Sequence, residues 1–148
     1  MEYVQENFTA VYKEARPLLE EHWEAIGSGR SGTDMDPDWD KYFAMNDAGM
    51  IYLTTAREDG SLMGYALYLI STSLHQITHE FAELDVMWLT PSKRKGMTGI
   101  RMLKQAEEGL RKLGVHRIFG ASQLHADIGR VYEHLGYRAV ERIYAKDL

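Results

Sequence analysis

At 148 residues and 45% hydrophobic content, the chain is long enough to bury a core, lacks the composition of a disordered protein, and is expected to form one domain over residues 1–148. A net charge of −5 with a pI near 5.7 argues against a sequence-independent nucleic-acid partner, which needs a basic surface. Cysteine is absent, which excludes disulfides and thiolate nucleophiles.

In chain order, MEYVQENF lacks a basic region followed by an apolar one, so no signal peptide is expected. Phe8, Val11, Tyr12, Ala15, Leu18, Leu19, Trp23 and Ile26 keep helical spacing, with Pro17 predicting a kink or a second helix starting there. Gly27 to Gly32 predicts a flexible loop, and Asp36-Pro37 an N-cap and first turn for a short helix reaching about Asn46 and ended by Gly49. Met50 to Ala56 and Leu62 to Ser71 predict an antiparallel hairpin around the turn Glu58 to Ser61. Within it, Gly64 to Ile70 is the longest apolar stretch and falls far short of the roughly 20 residues that span a bilayer, so a cytoplasmic protein without a membrane partner is expected.

A loop from Thr72 to Thr78 leads into a strand from Phe81 to Leu89. A helix from Met97 to Leu113, closed by Gly114, precedes a strand over Val115 to Ala121. A helix beginning at His125 or Asp127 and ending at Leu135 follows, and the alternation of Arg138, Val140, Arg142 and Tyr144 predicts a last strand over Tyr137 to Tyr144. That order predicts an α/β (α+β) fold, a mixed and mostly antiparallel sheet flanked by helices.

The stretch FAELDVMWLTPSKRKGMTG, Phe81 to Gly99, sets a basic, glycine-bearing turn between a strand and a helix. Such a turn leaves backbone N–H groups unpaired at the positive end of the helix dipole, which suits an anion, most often phosphate. Neither the Walker A pattern nor the dinucleotide fingerprint is present.

This stretch resembles the coenzyme A loop of the GNAT superfamily, the Gcn5-related N-acetyltransferases, whose pattern is [Arg/Gln]-x-x-Gly-x-[Gly/Ala]. With Arg94 first, Gly99 takes the last position and Met97 stands where glycine is usual; the other register begins at Lys93, with Gly96 as first glycine and Thr98 last. The first is preferred because it sets Met102-Leu103 on the family's apolar helix pair. Val131-Tyr132-Glu133-His134-Leu135-Gly136-Tyr137 resembles the family's late motif, with His125 at its upstream polar position. A looser likeness to small bacteriophage-encoded acetyltransferases rests on Leu-Leu-x-x-His-Trp and Asp-Pro-Asp-Trp segments.

The resemblance implies a sheet splayed between its fourth and fifth strands and acetyl-CoA as cosubstrate. The coenzyme would be held by Arg94, Lys95, Gly96, Met97, Thr98, Gly99 and Ile100, by the strand end Met87, Trp88 and Leu89, and by His125. Arg101 and Lys104 are candidates for the 3'-phosphate, while Lys93 suits a solvated turn better.

Acyl transfer to an amine needs a base, a polarised carbonyl and an acid for the leaving thiolate. Strict alternation along the strand sets Ala82, Leu84, Val86 and Trp88 on one face and Phe81, Glu83, Asp85, Met87 and Leu89 on the other. Glu83 is the expected base, with Asp85 as substitute or as partner to an ammonium; the alternative is that both face solvent. Tyr132 matches the family's acid, or is a core tyrosine. His75, His79 and His22 with its neighbouring glutamates lack metal-site spacing, so no metal is expected. Trp23, Trp39, Tyr42 and Phe43 line an acceptor pocket or fill the core, and Asp34, Asp36, Asp38 and Asp40 attract a cationic amine or cap a helix and face water.

The resulting expectation is acetyl transfer to a primary amine by direct attack in a ternary complex, the acceptor being a small molecule or a protein amine and a homodimer being possible. The rival is a non-catalytic acyl-CoA-binding regulatory or partner-binding module.

Overall fold

A computed structural model describes residues 1–27 and 34–148, so the predicted glycine loop, apart from Gly27, lies outside the described residues. The chain opens with a strand, β1 (Glu2–Glu6), where no element was expected, antiparallel to β2 (Ile51–Glu58). Polar and mostly exposed, β1 has no apolar alternation to betray it. Its ladder is reinforced by Arg57, whose Nε donates to Glu6 Oε2 at 2.7 Å and whose Nη2 donates to Glu14 Oε2 at 2.8 Å.

α1 (Phe8–His22) starts at Asn7, whose side chain accepts from Ala10 N, and buries Phe8, Val11 and Ala15. It runs through Pro17 without a break and passes into a π turn, Trp23–Gly27. Because Pro17 is exposed, the carbonyl that loses its N–H partner faces water, which explains the tolerance. α2 (Trp39–Asp47) is capped by Asp38, not Asp36: Asp38 Oδ1 accepts from Lys41 N at 2.9 Å, reaching the third helical residue as a cap must.

β2 returns as β3 (Ser61–Ser73) through Asp59 and Gly60, with φ of 51° and 81°, the left-handed pair a two-residue hairpin needs. β3 then pairs with β4 (Gln76–Leu89) out to Ser73 opposite Gln76, so most of the predicted Thr72–Thr78 loop lies in strands that meet at a turn through Leu74 and His75. Its residues are largely exposed and carry no buried stripe, so only backbone pairing reveals them. α3 (Thr98–Lys112) is followed by Gly114 at φ 88°, then β5 (Arg117–Gly120) and α4 (Gly129–His134).

The sheet order is β1-β2-β3-β4-β5, antiparallel except for the parallel β4–β5 pair, which is the mixed architecture expected of the sequence. The predicted final strand is not formed: residues 137–148 carry no strand pairing, and Val140, Ile143 and Tyr144 are exposed at 59%, 76% and 85%. Alternation supplies a strand's side chains but not a neighbouring edge, and only Tyr137, 5.1 Å from the Tyr132 ring, is packed against the core. α3 and α4 cover one face of the sheet, α1 and α2 the other. No helix among the described residues is long and apolar enough to cross a membrane.

Candidate active site

The β4–β5 ladder runs from Phe81 opposite Arg117 to Leu84 opposite Gly120 and stops there. From Asp85 to Leu89, β4 has β3 on one side and no β5 on the other, which opens the sheet between its fourth and fifth strands. At the same point β4 bulges: Leu67 faces Val86 and Tyr68 faces Leu84, leaving Asp85 as the extra residue.

The bulge corrects the strict alternation expected from the sequence. Ala82 and Leu84 enter the core under α3, whereas beyond Asp85 it is Met87 and Leu89 that do so, while Val86 and Trp88 turn toward α1. One inserted residue shifts the period-two pattern and re-aims a side chain, a device frequent beside active sites. Asp85 is half-buried and accepts a hydrogen bond from Tyr42 Oη at 3.2 Å. Burial and the Asp85 carboxylate hold the Tyr42 phenol protonated well above its ordinary range. Glu83 stays exposed, opposite Phe119 where β5 still covers β4.

After β4 the chain makes a short 3-10 turn, Pro91–Lys93, and Lys93 Nζ pairs with Glu58. Gly96 has φ 59°, a conformation glycine adopts without strain. α3 begins at Thr98 with no side-chain cap and no acidic residue in its first turn, so its first N–H groups and dipole are open to an anion. A Cβ at Gly99 would lie 3.4 Å from Met87 Cε and 3.6 Å from Leu89 Cδ1, ordinary contact distances that set the helix start against the open end of β4.

Arg94 closes the short 3-10 turn, at the start of the stretch that leads to α3. Its Nε donates to Leu89 O at 2.8 Å and its guanidinium lies 4.0 Å from the Trp88 ring centroid, so the side chain braces the loop. Lys95, Arg101 and Lys104 are exposed, Ile100 and Thr98 half-buried, and Thr98 Oγ1 donates to Lys95 O at 3.1 Å.

His22, considered in the sequence only as a metal ligand, joins this group. Its ring stacks on Trp88 with centroids 4.9 Å apart and planes 16° apart, and its Nδ1 lies 2.9 Å from Tyr65 Oη. Burial, helped by the nearby Arg94 charge, lowers its pKa to about 4, so the imidazole is neutral at pH 7. The signal was present: His22 continues the Phe8, Val11, Ala15 stripe of α1 at helical spacing.

On the far side of the opening, His125 Nε2 lies 3.3 Å from Ile26 O of the π turn, joining the β5–α4 loop to the end of α1. Tyr132 is buried, donates its hydroxyl to Ala121 O at 3.1 Å, and has its pKa pushed up to about 12 by burial. Among the described residues no cluster of three or more His, Cys, Asp or Glu could hold a metal ion.

The acetyltransferase (GNAT) family matches residues 9–137. A Bacillus halodurans protein shares the fold at a TM-score of 0.77 and 13% identity, over 100% of this chain and 99% of that one. A ribosomal-protein-alanine N-acetyltransferase from Brucella melitensis biovar Abortus 2308 does so at 0.74 and 14%, over 100% of both chains. An aminoglycoside N-acetyltransferase solved in complex with CoA matches at 0.74 and 16%, over 99% of this chain and 93% of that one. No curated protein matches the chain by sequence.

Proposed function

Because the chain belongs to the acetyltransferase (GNAT) family, we propose that it transfers an acetyl group from acetyl-coenzyme A to a primary amine by direct attack in a ternary complex. The observation that carries this is the coincidence, at one end of β4, of an opened sheet, an uncapped helix N-terminus reached through Gly96 and Gly99, and a carboxylate raised on a bulge. These residues fit the coenzyme: an unpaired strand edge suits an amide-bearing arm, and open helix N–H groups suit a pyrophosphate. Acetyl-CoA supplies the activated acyl group when bound.

The chain's own residues divide the remaining work. Backbone N–H groups from Lys95 to Ile100 hold the anionic end, with Arg94 positioning the turn from its place on Trp88 and Leu89 O. An N–H of the strand end, Met87 to Leu89, polarises the acyl carbonyl, and His125 ties the loop beyond β5 to the roof over the opening. Asp85 takes a proton from the acceptor ammonium: it is the first residue past the end of β5, whereas Glu83 lies where the ladder is closed, able to act only through water. Tyr132, kept protonated by burial, is the proton donor for the leaving thiolate and would exchange its bond to Ala121 O for that role. N-acetylation is further supported by two similar structures named as N-acetyltransferases.

The test pairs calorimetry with a thiol-release assay over a panel of amines. Saturable acetyl-CoA binding with amine-dependent release of free thiol is expected. Binding with no turnover on any amine would favour an acyl-CoA-binding module, and absence of binding would overturn both.

A further inference from the structure

Between the end of α1 and the segment entering α2 lies a cavity of about 300 Å³, lined chiefly by Glu20, Trp23, Glu24, Met35, Pro37 and Trp39. Met35, Pro37 and Trp39 are half-buried and alternate with the exposed Asp34, Asp36, Asp38 and Asp40, so the strip turns its apolar side to the cavity and its carboxylates to solvent. Between Pro17 and Asp40 the sequence carries seven carboxylates and one arginine, a net of −6 against −5 for the whole chain. Of these carboxylates, Glu20 and Glu24 line the cavity, and Asp34, Asp36, Asp38 and Asp40 stand on the strip that borders it.

Two indoles beside carboxylates in a concave site are what an alkylammonium ion prefers, the rings supplying cation–π attraction and the carboxylates the counter-charge. Arg16, which also lines the cavity, is already engaged at 3.3 Å by Glu20; with side chains 58% and 55% exposed, that pair is weak enough for an incoming ammonium to replace. The cavity is linked to the proposed reaction centre through two contacts. Trp39 packs against Tyr42, with centroids 5.8 Å apart, and Tyr42 donates to Asp85 at 3.2 Å.

We infer that the acceptor is an alkyl diamine or polyamine, whose reacting amine lies at Asp85 while a second ammonium group sits in this cavity between Trp23, Trp39, Glu20 and Glu24. The inference rests on the acetyl-transfer reading for the first amine but not for the second, which is a binding site in its own right. An aliphatic spacer suits the Met35 and Pro37 side of the cavity, and the surrounding carboxylates steer a polycation toward it.

Calorimetry on the whole protein with diaminooctane and octylamine, alongside steady-state acetylation of both, tests this. Diaminooctane should bind about 10-fold more tightly than octylamine, and the Glu20→Gln/Glu24→Gln double variant should lose most of that difference while its acetyl-CoA affinity is unchanged. Both glutamates are exposed, so the variant folds as the parent does. Equal binding of the two amines, or an advantage for the diamine that survives in the double variant, would overturn the inference. A diamine bound tightly through Glu20 and Glu24 yet not acetylated, while another amine is, would overturn its assignment as the acceptor; tight diamine binding with no turnover on any amine would overturn the proposed reaction instead.

Discussion

Toward α3 and α4 the sheet presents Ala56, Ala66 and Ala82, all fully enclosed, and the helix answers with Met102, Leu103, Ala106 and Leu110, none more than 1% exposed. Toward α1 and α2 it presents Tyr65, Asp85 and Trp88, and the helices answer with Phe8, Tyr12, His22 and Tyr42. On the first face contacts are set by volume; on the second they are set by direction, through hydrogen bonds and ring geometry. Volume-matched packing contributes most of the stability and is indifferent to chemistry. Directional contacts hold polar groups partly out of water, where they are worth more and can be put to use. The difference assigns most of the stability to one face and the handling of the acceptor amine to the other, Tyr132 being the one proposed chemical group on the α4 side, and three substitutions test the division.

The largest effect is expected on the volume face. Leu103→Ala, deep beneath the sheet, should cost about 3 kcal/mol and lower the melting temperature by roughly 10 °C. Below the transition, Michaelis constants for both substrates should stay as they were. Denaturant unfolding with kinetics on the same samples checks this; a stability loss below about 1 kcal/mol would mean that the face is not close-packed.

Asp85→Asn is the mirror case on the chemical face. The turnover number should fall about 100-fold, near 2.7 kcal/mol of activation free energy, with the melting temperature and acetyl-CoA affinity nearly unchanged. Retained turnover would move the base to Glu83 or to water and leave Asp85 a structural role that includes its bond to Tyr42.

What the sequence disclosed follows the same division. α3 and the β2–β3 hairpin were legible because volume-driven packing writes a period of 3.6 or 2 into the chain, and Gly114 was legible as the cap of α3 because left-handed backbone leaves glycine as the unstrained choice. The bulge at Asp85 was not, since an inserted residue changes only the phase of a pattern that stays apolar throughout. β1 carries no pattern, being held by pairing with a strand some fifty residues away. His22 was visible as a residue but not as a site member, because its partners Tyr65 and Trp88 arrive from β3 and β4. Asp85 was singled out together with Glu83 by an alternation the bulge interrupts, yet both still face α1 and α2.

The smallest effect is the sharpest test of that second face, because it isolates one neutral imidazole. In the unfolded chain His22 titrates near 6.5, and in the folded protein burial against Trp88 and Tyr65, with Arg94 close by, lowers this to about 4. Above pH 6.5 neither state takes the proton, so His22 leaves stability unaffected. As pH falls from 6.5 toward 4 the unfolded chain binds a proton that the folded protein refuses, and stability drops across that window, levelling off below it. Discounted for partial solvent access, the loss is roughly 2 kcal/mol. His22→Phe keeps a ring on Trp88 but cannot titrate, so the gap between the urea midpoints of parent and variant should narrow or reverse in the variant's favour between pH 6.5 and pH 4. Carboxylates titrating lower in that range affect both proteins alike and cancel in the difference. A gap independent of pH would mean that His22 is open to water, and with it the stack that positions Arg94 over Trp88.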